Sequence, residues 1–525
     1  MRSLWLVGVA TLASVLAACA STAAPVAGDP QPLPQLTAPD ETPTVTSTSP
    51  PAGAPGTLVA PDTVPASSVG EPEARAGEAD FDDVSTSSGD RRYPTLGSSD
   101  LDVEHYDVAL EYAPQTRTLA GTVTVRGRVL RSVTAIALDL AGPDVLAVSG
   151  REGPLTWRAE PSELLVALPA AAAAGDAFAV TVEYAVTVVA PDLFDAEAAG
   201  LFPTGDGLWA VNEPGGAHTW LPVNDHPTDK AGWTFALRVP APLTAIANGE
   251  LAGSATAGGW TTWEWEQAEP MAPYLITFLV GDYELVDAGR SATGVPLHHA
   301  VIAGADGIDA YTEVTDAQLT FFTDLFGAYP FDRYGIALTD SASGLAMETQ
   351  GLSLFSADDL DGTLGPRQQL LLAHELGHQW FGDAVSPAAW DDIWLNEGLA
   401  TYCEWLWLEH AGVATVEQLA ADARAGLGAG GPVSAPAELF GNWSYDGGGA
   451  AVHAIRRTLG DSVFFPALAG WVVAHLDASA TTADFQRHLE QFSGRDLSAL
   501  FAAWVHAERL PDEFPGTPVS APTNT

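Results

Sequence analysis

In the stretch HYDVALEY the apolar side chains Tyr106, Val108, Leu110 and Tyr112 occupy every second position. That is the period of a strand with one buried face. GTVTVRGRVL alternates in the same way, and strand-like runs recur in AFAVTVEYAV, GWTFALRVPAP and YLITFLVGDYELV, separated by Gly, Pro and Asp. Residues 96–297 therefore read as an all-β domain of short strands. Beyond 298 the apolar spacing becomes helical. DAYTEVTDAQLTFFTDLFGAYP keeps that spacing as far as Pro330. RQQLLLAHELGHQWFG starts behind Pro366, a good first-turn residue, and stops at Gly382. WLNEGLATYCEWLWLEHAG is a second helix closed by Gly412, and further helices follow to about residue 510. The pattern predicts an α+β chain of two domains, all-β over 96–297 and mainly α over 298–510, with no internal repeat.

Composition changes the picture at both ends. Residues 20–95 are rich in Ala, Pro, Thr, Ser and Gly and then turn acidic. They lack periodicity and are expected to form a disordered tether. Residues 511–525, PDEFPGTPVSAPTNT, read as a disordered tail. The start, MRSLWLVGVATLASVLAACAS, has one early Arg and then an apolar run ending in small residues, which reads as a signal peptide over 1–18. Its end, Leu16 to Cys19, resembles a bacterial lipobox. The resemblance implies cleavage before Cys19, lipidation of that residue, and a protein held at the outer face of a bacterial cell membrane. No later stretch is long and charge-free enough to span a membrane.

Charge narrows the function classes. Sixty-seven acidic residues stand against 21 basic ones, a net charge of -46. Such a chain is not built to bind nucleic acid, whose phosphates need Lys and Arg. An acidic surface can draw in cationic ligands or a metal ion, although it also serves plain solubility. Only Cys19 and Cys403 are present, so there is no disulfide framework.

The candidate chemistry lies in HELGHQWFG, residues 374–382. On a helix, positions i and i+4 share a face, so His374 and His378 can aim two imidazoles at one ion. Neutral imidazole is a good zinc ligand. Zinc lowers the pKa of a bound water to about 7, and the adjacent Glu375 can take its proton. A catalytic zinc usually has three protein ligands. Glu397, nineteen residues after His378 in the apolar IWLNEGLATY, is the third candidate. Buried unpaired it would cost several kcal/mol, and a metal resolves that cost. The bland alternative is a structural helix with fortuitous histidines. Glu404 lies seven residues beyond Glu397, two turns along the same face, where it can hydrogen-bond a ligand imidazole or simply be solvated. Cys403 reads as a buried apolar filler.

The stretch HELGHQWFGDAVSPAAWDDIWLNEGLATY resembles the gluzincin aminopeptidases of the aminopeptidase N type, which include the leukotriene-hydrolase branch. The resemblance covers roughly residues 97–510. It implies one zinc per chain on His374, His378 and Glu397, with Glu375 as general base. It further implies a β saddle followed by a thermolysin-like catalytic domain. The family's G-A-M-E-N motif is matched by GLAMETQG, where Glu348 takes the place of the glutamate that binds the substrate's ammonium. Leu345 stands for the motif's first Gly and Thr349 for its Asn. Glu213, in WAVNEPGGAHTWLPVNDHPTDKA, falls at the second amine-binding position, while His218 replaces the usual Arg. Tyr445, in SYDGGGAAVHAIRRTLGDSVFF, matches the oxyanion-binding tyrosine. Gly447 replaces a basic residue there, in a glycine run expected to loosen the segment. The β-sandwich and helical cap of larger members have no counterpart before the sequence ends.

The resemblance implies a zinc metallo-aminopeptidase whose partners are peptides with a free N-terminus, plus a membrane reached through the lipid anchor. A monomer is plausible. Two other readings stand beside it: a catalytically silent surface peptide-binding lipoprotein, and an endopeptidase or epoxide hydrolase on the same zinc site. Glu348 weighs against the endopeptidase, because it occupies the space of an upstream substrate residue.

Overall fold

In the strand Leu101–Ala113 the side chains of Leu101, Val103, Tyr106, Val108, Leu110 and Tyr112 are buried. The alternation slips by one between Val103 and Tyr106 because the pairing with the next strand is irregular between Val103 and His105. The structure is a computed structural model. It describes residues 81–517 and 519, apart from 192–198, 342–343 and 429. The signal peptide, Cys19 and most of the tether lie outside the described residues.

Leu101–Ala113 sits in the middle of an eight-stranded sheet, antiparallel to Thr118–Val129 and parallel to Ala231–Pro240. Tyr106 and Trp233 are register partners, and their rings stack at 4.0 Å. A three-stranded and a four-stranded sheet complete the N-terminal region. Its buried apolar side chains form one cluster that continues into the C-terminal half through Met347, Leu354, Trp390 and Ile393.

The second half carries a five-stranded sheet in the order Tyr283–Arg290, Pro296–Ile302, Ile336–Thr339, Ser353–Ser356, Ala346–Met347. This corrects the boundary expected at 297. Tyr283–Arg290 and Pro296–Ile302 pair with each other and then with the sheet of the second domain. The division therefore falls near residue 282. Period-2 alternation announces a strand but not the sheet it joins.

Eight α-helices are found among the described residues: α1 (Ile308–Phe326), α2 (Pro366–His378), α3 (Trp394–His410), α4 (Val416–Gly426), α5 (Asp446–Leu459), α6 (Asp461–His475), α7 (Thr482–Ser493) and α8 (Ser498–Trp504). The helix α2 starts at Pro366 as its sequence demands but ends at His378, four residues before Gly382. Fourteen of the seventeen residues of α3 are buried, so it is a central helix without a polar face. At Gly377 an added Cβ would lie 2.9 Å from Cys403 Sγ, so α2 and α3 touch closely, with Cys403 as the buried filler. The glycine run tightens the fold rather than loosening it. A Cβ on Gly448 would lie 2.6 Å from Gly398 Cα, and one on Gly449 would lie 2.8 Å from the Trp405 ring. Absent side chains let α5 press onto α3.

The described residues towards both ends are more ordered than composition suggested. Residues 81–95 are not free tether. Asp90 is buried and accepts hydrogen bonds from the Trp390 and Arg92 amides at 2.8 and 2.7 Å. Arg91 pairs with Asp391 at 2.7 Å, and Gly97 N donates to Asp139. The described part of the tail is held as well. Phe514 stacks on Trp504 at 4.8 Å, and Val519 N donates to Glu417 at 2.8 Å. These contacts reach across as many as 300 positions, where local composition carries no signal.

Candidate active site

The i, i+4 spacing on α2 places the Nε2 atoms of His374 and His378 3.1 Å apart. Glu397, in the first turn of α3, brings Oε2 to 3.3 Å from His374 Nε2 and 3.5 Å from His378 Nε2. All three side chains are buried. The outer nitrogens are spoken for. His374 Nδ1 donates to Glu404 Oε1 at 2.6 Å, and His378 Nδ1 donates to Phe381 O at 3.1 Å. That arrangement fixes both tautomers and leaves two Nε2 lone pairs converging beside a carboxylate, which fits a divalent ion of zinc's preferences. Gly382 matters here. Its φ of +140° lies in a region that favours glycine, and a Cβ would crowd His378 Nδ1 at 3.3 Å.

Further carboxylates crowd the same pocket. Glu348 follows the edge strand Ala346–Met347 directly. Glu348, Glu375 and His378 offer ligand atoms within 4.8 Å of one another, and so do Glu213, Glu348 and Glu397. Two like charges at that spacing repel by roughly 3 kcal/mol at an effective dielectric of 20. Glu213 Oε1 and Glu348 Oε1 are buried and have no hydrogen-bond partner. Burial first, and then Glu348, pushes the Glu213 carboxyl well up. Burial also raises Glu348, against the pull of His378. Burial raises Glu375 to about 8 although both histidines oppose it. Burying this many carboxyls together is costly, and a bound cation among them lowers that cost.

Tyr445 caps α5 and lies with its ring 6.0 Å from that of His374. Burial and the carboxylates Glu397 and Glu213 raise its pKa well above the usual phenol value, so its hydroxyl stays a donor. The α3–α5 contact at Gly398 and Gly448 holds it there. All the residues picked from sequence within 213–445 thus meet at one place, Glu404 included. His218 does not join them. It pairs with Asp225 at 2.7 Å. Burial opposes its charge, but Asp225 outweighs that and raises the ring's pKa. It belongs to a buried cluster with Asp225 and Asp139 in the β domain. Of the two departures around Glu348, Leu345 O accepts the Ser356 amide at 3.1 Å, and the Thr349 hydroxyl donates to Leu352 O.

Three polar residues beside the site escaped sequence reading. Gln379, directly after His378, donates from Nε2 to Glu348 O at 3.0 Å and accepts from Gly351 N at 2.9 Å and Tyr329 Oη at 3.1 Å. Asp383 is wholly buried beside Gln379, and burial pushes its carboxyl well up. Lys230, the only lysine, reaches from the β domain to donate to Asp383 O at 2.7 Å and Ala384 O at 3.1 Å. Burial lowers its pKa to about 8. For Gln379 and Asp383 the signal was present: HQWFGDAV places Gln and Asp inside an apolar run.

Comparison with known proteins agrees with this geometry. The profile of the Peptidase M1 N-terminal domain matches residues 102–275, and that of the Peptidase family M1 domain matches 311–504. Aminopeptidase 2 of Candida albicans is 28% identical over 321 residues, 56% of this chain and 34% of that protein. Aminopeptidase N of Bos taurus is 28% identical over 328 residues, 56% of this chain and 33% of that protein. The chain thus spans about a third of the length of these relatives. The crystal structure of an M1 zinc metallopeptidase from Deinococcus radiodurans superimposes with a TM-score of 0.76 at 30% identity, covering 82% of this chain and all of that one (100%). A mutant of an M1 zinc metallopeptidase from the same organism, bound to a Tyr-Ser-Ala substrate, gives 0.75 at 30%, covering 82% of this chain and 99% of the other. With both domains matched in order and a solved relative covered end to end, the chain belongs to the M1 family of zinc metallopeptidases.

Proposed function

We propose that the chain is a zinc aminopeptidase that removes single residues from the free N-terminus of peptides. The observation that carries this reading is the pair of buried carboxylates, Glu348 and Glu213, each with an oxygen that accepts no hydrogen bond, next to the His374–His378–Glu397 cluster. A carboxylate pair of that kind recognises an ammonium through charge-assisted hydrogen bonds, and it closes the pocket to residues further upstream.

His374, His378 and Glu397 would hold the zinc, with Glu404 and Phe381 O setting the imidazole tautomers. When bound, zinc supplies a Lewis acid that polarises the scissile carbonyl and acidifies water. Glu375 accepts the proton of the attacking water on its carboxylate and passes it to the leaving amine nitrogen. Glu348 and Glu213 hold the substrate ammonium and so fix which carbonyl is attacked. The Tyr445 hydroxyl donates to the oxyanion that develops at that carbonyl. The protein works outside the cytoplasm, tethered through lipidated Cys19. Among the described residues no helix is long and apolar enough to cross a membrane. Lipid labelling that is lost in Cys19→Ser supports the tether, and unchanged labelling refutes it.

The activity is tested with aminoacyl amides, free and N-acetylated, with and without chelator, beside Glu375→Gln. Chelator-sensitive cleavage of the free-amine set alone, lost in the variant, is the expected result. Equal cleavage of the acetylated set refutes the exopeptidase reading. No cleavage with zinc bound favours a binding protein.

A further inference from the structure

The ammonium-reading carboxylate and the metal ligands come from different elements, so something must fix the distance between them. Glu348 sits on a short turn after an edge strand, and His378 ends α2. Gln379 joins the two. Its side chain is fully buried and uses both ends. The amide nitrogen holds the carbonyl of Glu348, while the amide oxygen takes the Gly351 amide and the Tyr329 hydroxyl, at 3.0, 2.9 and 3.1 Å. The first and last residues of the turn 348–351 are thereby pinned to the residue that follows a metal ligand. Apart from the Glu348 carboxylate, whose Oε1 lies 3.9 Å from His378 Nδ1, the turn's other fastenings do not reach α2. Thr349 bonds Leu352 within the same segment, and Asn248 Nδ2 donates to Gln350 O at 3.0 Å from the β domain.

We infer that Gln379 is a positioning residue that sets the spacing between the ammonium anchor Glu348 and the metal ligands, and hence the one-residue reach of the enzyme. The inference rests on the aminopeptidase reading. A shift of the turn would leave the metal triad intact but move the carboxylate away from the ammonium. Substrate binding through the amine weakens, and the preference for a free N-terminus goes with it. A group that merely packed the core would change stability without touching that preference.

The test compares wild type with Gln379→Met, which keeps length and removes all three bonds, and with Gln379→Glu, which keeps the two acceptor bonds and, when ionised, turns the donation to Glu348 O into a repulsion between two oxygens. Zinc content and melting temperature are measured on each, followed by kcat and KM for a leucyl amide and its N-acetyl form. The expected result for Gln379→Met is one zinc per chain, a rise in KM of about tenfold for the free amine with kcat little changed, and a similar fall in free-over-acetyl preference. Gln379→Glu should show a rise in KM that grows with pH relative to wild type, because the neutral acid can still donate to Glu348 O. If Gln379→Met does not fold, Gln379→Glu alone decides. Unchanged KM and preference in a folded, zinc-loaded variant overturn the inference, and so does loss of zinc or of kcat with KM unchanged. Failure of the parent reading looks different: wild type itself would cleave both forms alike.

Discussion

At the scale of single residues, the site is a concentration of negative charge that only cations can settle. Glu375 stands beside both histidines yet is raised to about 8 by burial. Replacing it with Gln removes the proton carrier and keeps the shape. Zinc content should be unchanged and kcat should fall by about 10²–10⁴-fold, measured on a free-amine amide. Glu404 acts through His374, to which it is bonded at 2.6 Å. Glu404→Ala should weaken zinc retention by roughly 10–100-fold in a competition assay with a chelator. Retention equal to wild type would show that the tautomer is fixed elsewhere. The two zinc-ligating histidines were legible in the sequence because their geometry is local. His374 and His378 follow the helical period, and Glu404 follows Glu397 by two turns. Glu213 and Glu348 were reached only through resemblance, since nothing in the spacing of two distant segments says that they meet. Gln379 was overlooked because its partners lie 28, 31 and 50 positions away.

At the scale of elements, the fold turns on close backbone approach. Tyr445 reaches the site because α5 lies against α3 at Gly398 and Gly448. Gly448→Ala puts a methyl group 2.6 Å from backbone atoms that cannot swing aside. It should destabilise the protein by about 1–3 kcal/mol and depress kcat by displacing Tyr445, as read by thermal melting and turnover. A variant with unchanged melting and turnover would mean that α5 can shift freely. The sequence suggested the opposite, a loosened segment, because three consecutive glycines weaken an isolated helix. Packing against α3 overrides that preference. The strands were found by their alternation, but the sheet owning Tyr283–Arg290 was not, because pairing partners leave no periodic trace.

At the scale of the whole molecule, the two halves are fastened at points close to the site. Lys230 binds the chain just after α2 from the β domain, and the strap around Asp90 binds the turn before α3. Burial alone would raise the Asp90 carboxyl. His226 and the amides of Trp390, Tyr93 and Arg92 outweigh it and hold the group well below the usual carboxylate range. A depressed folded pKa stabilises the protein above the unfolded value, about 3.9. Asp90→Ala should therefore melt lower than wild type at pH 7, and the gap should close as the pH falls below about 4. A gap independent of pH would assign Asp90 a packing role only. Removing zinc should also lower the melting temperature, because the metal binds the folded pocket alone.

The central claim is that a buried carboxylate pair beside a zinc triad restricts cleavage to the first residue. Its most direct test is to incubate an unblocked peptide of mixed sequence with the zinc-loaded protein and follow the products over time by mass spectrometry. The account predicts a ladder of products, each shorter by one residue from the N-terminus. Internal fragments appearing first would contradict it.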